Sequence, residues 1–133
     1  MLAGGALQHF PKEVKDIKVG RTAASLIFLQ GTAWCESDQL GTLWKYIIHY
    51  ADGQTVEVPV TREINVRDWW SQPSDLQEAK VAWSGGNMAH APISLYSMEW
   101  INQHPQSAIE SIDIVSDCKS VPFVLAITGR IRK

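Results

Sequence analysis

Leu43-Trp44-Lys45-Tyr46-Ile47-Ile48-His49-Tyr50-Ala51-Asp52-Gly53-Gln54-Thr55-Val56-Glu57-Val58-Pro59-Val60 is the stretch on which the fold turns. Trp44, Tyr46, Ile48 and Tyr50 share one parity while Lys45 and His49 take the other, the period-2 signature of a strand with one buried face. Asp52-Gly53 supplies residues that tolerate the positive φ values of a tight turn. Beyond it Val56, Val58 and Val60 alternate with Thr55, Glu57 and Pro59, so a second strand returns against the first. Pro59 has no N–H to give to a ladder, which places it at an edge or a bulge.

Reading outward from this hairpin, residues 1–13 hold Gly4-Gly5 and Phe10-Pro11 without periodicity and read as an irregular arm. Val14, Ile17 and Val19 follow. The nearly continuous apolar run from Thr22 to Trp34 suits a central strand, Ala24 to Ala33, buried on both faces. After the hairpin, Thr61 to Gln72 reads as a loop. Ala79, Val81 and Trp83 then alternate with Lys80 and Ala82, and Tyr96, Met98 and Trp100 share a face of a strand from Ile93. Ile112 and Ile114 alternate with Ser111 and Asp113. Finally Val121, Phe123, Leu125 and Ile127 alternate with Pro122, Val124 and Ala126. No window carries a capped 3.6-residue period, so seven or eight strands form an all-β, two-sheet antiparallel β-sandwich of jelly-roll type.

The 133 residues suit a single domain, 1–133, that buries its own core. Twelve basic and 14 acidic residues leave net charge −2, which gives no footprint for a phosphate backbone; nucleic acid is not an expected partner. No stretch approaches the ~20 apolar residues of a membrane span, and no membrane partner is expected. Cys35 and Cys118 lack the spacing of a metal knuckle or redox pair and are read as free thiols, with a bridge as the alternative.

Seven segments in order resemble a β-sandwich domain attached to bacterial glycoside hydrolases, of the galactose-binding-like, carbohydrate-binding-module type. They are Ile17-Lys18-Val19-Gly20-Arg21, Leu26-Ile27-Phe28-Leu29-Gln30-Gly31, Tyr50-Ala51-Asp52-Gly53, Asn65-Val66-Arg67-Asp68-Trp69-Trp70, Trp100-Ile101-Asn102-Gln103-His104-Pro105, Ile109-Glu110-Ser111-Ile112-Asp113 and Leu125-Ala126-Ile127-Thr128-Gly129. Domains of this kind usually begin with a further strand or two ahead of the position of Gly4. The resemblance implies a galactose-binding-like jelly roll with an ancillary sugar-binding role. It also implies a parent glycoside hydrolase in cis and an extracellular or periplasmic setting within a larger secreted protein.

Sugars present C–H faces fringed by hydroxyls, so their sites combine aromatic platforms with planar polar groups. Two clusters among the six tryptophans answer to that description. Trp69 and Trp70, with Arg67 and Asp68, lie in a loop. Adjacent residues of an extended chain face opposite sides, so one indole of the pair is expected in the core and the other at the surface. Trp100, Asn102 and His104 form the second cluster, with Trp34 and Trp44 as further candidates. His49 reads as a structural hydrogen-bonder.

Glycoside hydrolysis requires two carboxylates about one bond. Glu57, Asp68, Glu99 and Asp113 show no spacing that brings two together, and nucleophile, zinc-protease, phosphate-loop and dinucleotide motifs are lacking. A non-catalytic module that binds a neutral polysaccharide or oligosaccharide is therefore the expectation, with a small glycan hydrolase or a spacer or interface domain as alternatives. No cofactor is expected and no metal set is assigned. Asp38, Asp52 or Asp117 could brace a structural calcium, though no loop has the alternating acids of a dedicated site.

Overall fold

The computed structural model describes residues 1–4, 7–35 and 41–131, and among them there are eight strands and no helix. The strands are β1 (Glu13–Arg21), β2 (Ser25–Ala33), β3 (Thr42–Tyr50), β4 (Thr55–Thr61), β5 (Lys80–Gly85), β6 (Ile93–Ile101), β7 (Ile109–Ser116) and β8 (Val121–Arg130). They form two antiparallel four-stranded sheets ordered β1-β7-β3-β4 and β5-β6-β2-β8, a β-sandwich. No helix among the described residues is long and apolar enough to cross a membrane.

The hairpin forms as its alternation dictates. Trp44 pairs with Val60, Tyr46 with Val58 and Ile48 with Val56, and all six side chains face inward. Pro59 sits on β4, an outer strand of its sheet, where its missing N–H costs no ladder bond. At the turn only Gly53 takes a positive φ, 89°. Asp52 instead accepts the Gln54 N–H on its carboxylate at 3.0 Å, so an Asp side chain and a glycine divide the turn between them.

Between the sheets, Phe28 and Tyr46 stack at 3.9 Å and 19°. The Tyr46 hydroxyl donates to the Gln30 side-chain oxygen at 2.6 Å, and the Gln30 amide donates to the Asn65 carbonyl at 3.3 Å. This buried polar chain ties the hairpin to β2 and to the loop after β4. Burial pushes the Tyr46 phenol well above its ordinary range. Trp44 itself is a core residue.

Two strands break the parity expected of them. In β8, Ala126 pairs with Leu29 and Val124 with Gln30, leaving Leu125 as an extra residue. Phe123 therefore faces outward with Gly31, while Val124 and Ile127 pack on the core. In β5, Val81 pairs with Tyr96 and Trp83 with Leu95, so Ala82 is the extra residue. Val81 points inward and Trp83 outward, although the uninterrupted alternation predicts one shared face. The arm is tucked in at its start: the Leu2 N–H donates to the Pro122 carbonyl at 3.0 Å and Leu2 and Ala3 are buried. Cys35 and Cys118 are not bridged.

Candidate functional site

The Trp69-Trp70 pair sits where residue 68 bridges to β2 at Thr32. The Trp69 N–H donates to the Thr32 carbonyl and the Ser94 N–H donates to the Trp69 carbonyl, both at 2.9 Å, so the pair is stitched to the end of β2 and the start of β6. Asp68 builds the local turn. One carboxylate oxygen accepts the Trp70 N–H at 3.0 Å, the other accepts the Cys35 N–H at 2.9 Å, and the Asp68 carbonyl accepts the Ser71 N–H at 3.0 Å.

That turn overturns the expectation that the two indoles point to opposite sides with one in the core. Alternation holds only for extended backbone; in a turn closed by Asp68 the two rings lie nearly parallel, 6.2 Å apart at 17°. Trp70 is 47% exposed, and Trp69, only partly buried, is not a core residue. Trp69 meets Phe123 edge-on at 5.4 Å, and the His90 imidazole stacks on Trp70 at 4.7 Å while also contacting the Trp70 carbonyl at 3.0 Å. The Trp70 indole is thus engaged by two neighbours.

Arg67 is spent on the same loop. Its guanidinium lies 2.8 Å from Glu63 and donates to the Gln72 carbonyl at 2.9 Å and the Ser74 hydroxyl at 3.0 Å. The hydrogen bond to Glu63 raises its pKa further. Arg67 and Asp68 therefore position the loop, and Asp68 also borders a hollow beside the tryptophan pair.

The second predicted cluster does not join the first. Asn102 follows β6 at its far end, about 25 Å along the strand from Ser94 by the rise per residue. It is buried, and its side chain is consumed structurally: its amide donates to the Ala23 carbonyl at 2.7 Å and its oxygen accepts the Tyr50 hydroxyl at 2.5 Å and the His104 N–H at 2.9 Å. The His104 ring lies edge-on to Tyr50 at 5.2 Å. Trp100 packs partly on the core and lines a groove of about 430 Å³ with Glu57, Glu78, Glu99 and Gln103. Asn102 is corrected from a ligand contact to a bracket between the sheets, because its side chain is buried and both its amide and its oxygen are bonded within the fold.

Two other indoles define the aromatic end. Trp34, one residue past β2 with φ 50°, is 49% exposed, and Trp83 on β5 is 50% exposed. Both line an outward basin of about 570 Å³ whose floor is Trp69, Phe123 and Leu95. The floor depends on Gly31: a Cβ there would lie 2.4 Å from the Phe123 ring. Trp83 likewise lies over Gly85, where a Cβ would fall 2.5 Å from the indole. Trp34 also walls a smaller hollow of about 170 Å³ with Cys35, Asp68, Trp69 and Trp70. Nothing in the alternation pointed to Trp83 and Phe123; the available signals were the glycines near them, residues that allow close approach of a ring to the backbone.

The expectation that no two carboxylates come together is corrected for Glu57 and Glu99, which β4 and β6 bring to the same groove with Glu78. Each has a local partner: Glu57 pairs with Lys45 at 3.0 Å, Glu99 accepts from the Ser25 hydroxyl at 2.6 Å, and Asp113, elsewhere, pairs with His49 at 2.8 Å. Partial burial alone would raise the Asp113 carboxyl, but the Asp16 N–H, His49 and Lys15 outweigh it and hold the group below the usual carboxylate range. Among the described residues no three His, Cys, Asp or Glu side chains gather as a metal set. Asp38 lies outside the described residues. Comparison with protein-family models, with curated proteins and with solved structures finds no match to this chain.

Proposed function

We propose that this β-sandwich is a non-catalytic carbohydrate-binding module of the galactose-binding-like, jelly-roll kind, which holds a glycoside hydrolase in cis near its glycan outside the cytoplasm. The observation that carries the reading is the pair of half-exposed indoles, Trp34 and Trp83, on one aromatic-floored basin. Such faces match the C–H faces of a neutral pyranose chain, and each desolvated aromatic anchor is worth ~2 kcal/mol or more. Indole N–H groups around the basin can donate to sugar oxygens.

Affinity electrophoresis through gels holding β-glucan, xylan, mannan or galactan tests this. Retardation by at least one polysaccharide is expected, reduced about thirtyfold in affinity by Trp34→Ala or Trp83→Ala and unchanged by Trp100→Ala. Unretarded migration in every gel would exclude the glycan reading.

A second reading has its own observation. Apart from indole N–H groups, the side chains lining the basin are apolar, the make-up of the centre of a protein interface. On that reading the module is an interface domain whose basin packs on its enzyme partner, and W34A or W83A would loosen that contact in place of a glycan.

A further inference from the structure

The four outer strands of the two sheets are not equally guarded. An outer strand presents unpaired N–H and C=O groups, and proteins blunt such edges with charge, proline, bulges or short length. β1 carries Lys15, Asp16 and Lys18 and two register shifts against β7. β4 carries Glu57 and Pro59, and β5 is only six residues long with a shift at Ala82. β8 is the longest strand at ten residues; its Pro122 and its bulge at Leu125 guard only its first half, and from Ala126 to Gly129 it holds no charge, proline or register shift.

The arm covers the start of this edge through the Leu2 bond to Pro122. From the bulge at Leu125 onward, the described residues provide no backbone partner on its outer side. The Arg130 carbonyl accepts the Ala24 N–H from the β2 side at 2.8 Å, so by alternation Ile127 and Gly129 turn their N–H and C=O groups outward. Beside this edge the sandwich is open between β1 and β8, along grooves of about 320 and 370 Å³ that share Ile17 and Ile127; the second is lined by apolar side chains, and the first also by Lys18 and Arg21. Leu125 and Ile131 are exposed there.

We propose that the free edge of β8 pairs antiparallel with β8 of a second copy of this chain, making one continuous sheet across a two-fold axis. An occupant of this surface must satisfy a row of backbone groups as well as cover apolar side chains, which requires an extended strand. A second β8 meets both needs. Centred on Thr128, Ile127 and Gly129 of one copy exchange hydrogen bonds with Gly129 and Ile127 of the other, and the symmetric match is automatic. The charge pattern agrees: each Arg130 faces the partner's Ala126, and the two guanidinium-bearing residues lie about 13 Å apart along the strands, beyond a Debye length of about 8 Å in physiological salt. The three guarded edges would bring charges, a proline or a short, bulged strand to the same contact.

Thr128 is exposed and faces its own counterpart in this pairing, which gives a test that spares the fold. Light scattering on a sizing column is run over a dilution series for the unaltered chain, Thr128→Lys, Thr128→Glu and an equimolar mixture of the two variants. A dimer is expected for the unaltered chain, its dissociation constant raised about fivefold by either substitution alone and recovered in the mixture, since like charges directly opposite repel and unlike charges attract. Unchanged far-UV spectra and melting confirm that the monomers fold. A monomer at every concentration, or a dimer indifferent to all three variants, overturns the proposal; a dimer lost in Trp34→Ala but retained in Thr128→Lys assigns it to the aromatic basin and overturns it equally.

Discussion

Tyr46 and Tyr96 are both fully buried, yet their hydroxyls live in different circumstances. Tyr46 donates to Gln30 within a chain that reaches Asn65, whereas the Tyr96 hydroxyl has no hydrogen-bond partner. Tyr46→Phe is expected to cost about 1 to 3 kcal/mol, because it strands the buried Gln30 acceptor, while Tyr96→Phe is expected to be neutral or stabilising. Urea unfolding of the two variants decides it, and equal losses would contradict the bonding described. Asp113 supplies a pH test. Its folded pKa is depressed, so its contribution is present above the unfolded value near ~4 and is lost as pH falls through the folded one. Asp113→Asn should be less stable than the unaltered chain at neutral pH, and the gap should close on acidification; a gap constant from neutral to strongly acid pH would remove Asp113 from the account.

At the level of elements, what the sequence disclosed depended on whether backbone alternation ran unbroken. The β3–β4 hairpin was legible to the register because Trp44, Tyr46, Ile48 and Tyr50 keep one parity and Gly53 marks the turn. The central strand β2 was legible as an apolar run. β5 and β8 misled for one reason: a single extra residue, Ala82 or Leu125, reverses every side chain beyond it, and no residue type announces a bulge. The Trp69-Trp70 loop misled because the alternation rule was applied to a turn, although Asp68 was a visible turn former. Gly31 belongs to this scale too. Gly31→Ala sets a methyl against the Phe123 ring and should destabilise the chain by about 1 to 3 kcal/mol. A thermal melt and the near-ultraviolet signal of the aromatic end check this, and a variant that melts with the unaltered chain would mean the ring has room to move.

Across the whole molecule, the candidate site was legible in kind and not in membership. Exposed tryptophan was expected, and Trp70 is exposed, but its neighbours His90 and Trp69 engage it, while Trp34 and Trp83 converge only once β2, β5 and β6 are assembled. Trp100, Asn102 and His104, the second expected cluster, lie at and just past the far end of β6, at the opposite end of the sandwich from the indoles of the basin. The six indole N–H signals in a proton–nitrogen correlation spectrum give the most direct test of the central claim. Titration with the soluble polysaccharide that retards the protein most is predicted to shift the signals of Trp34 and Trp83 and to leave those of Trp44 and Trp100 in place; movement of Trp100 with Trp34 and Trp83 unmoved would contradict the account.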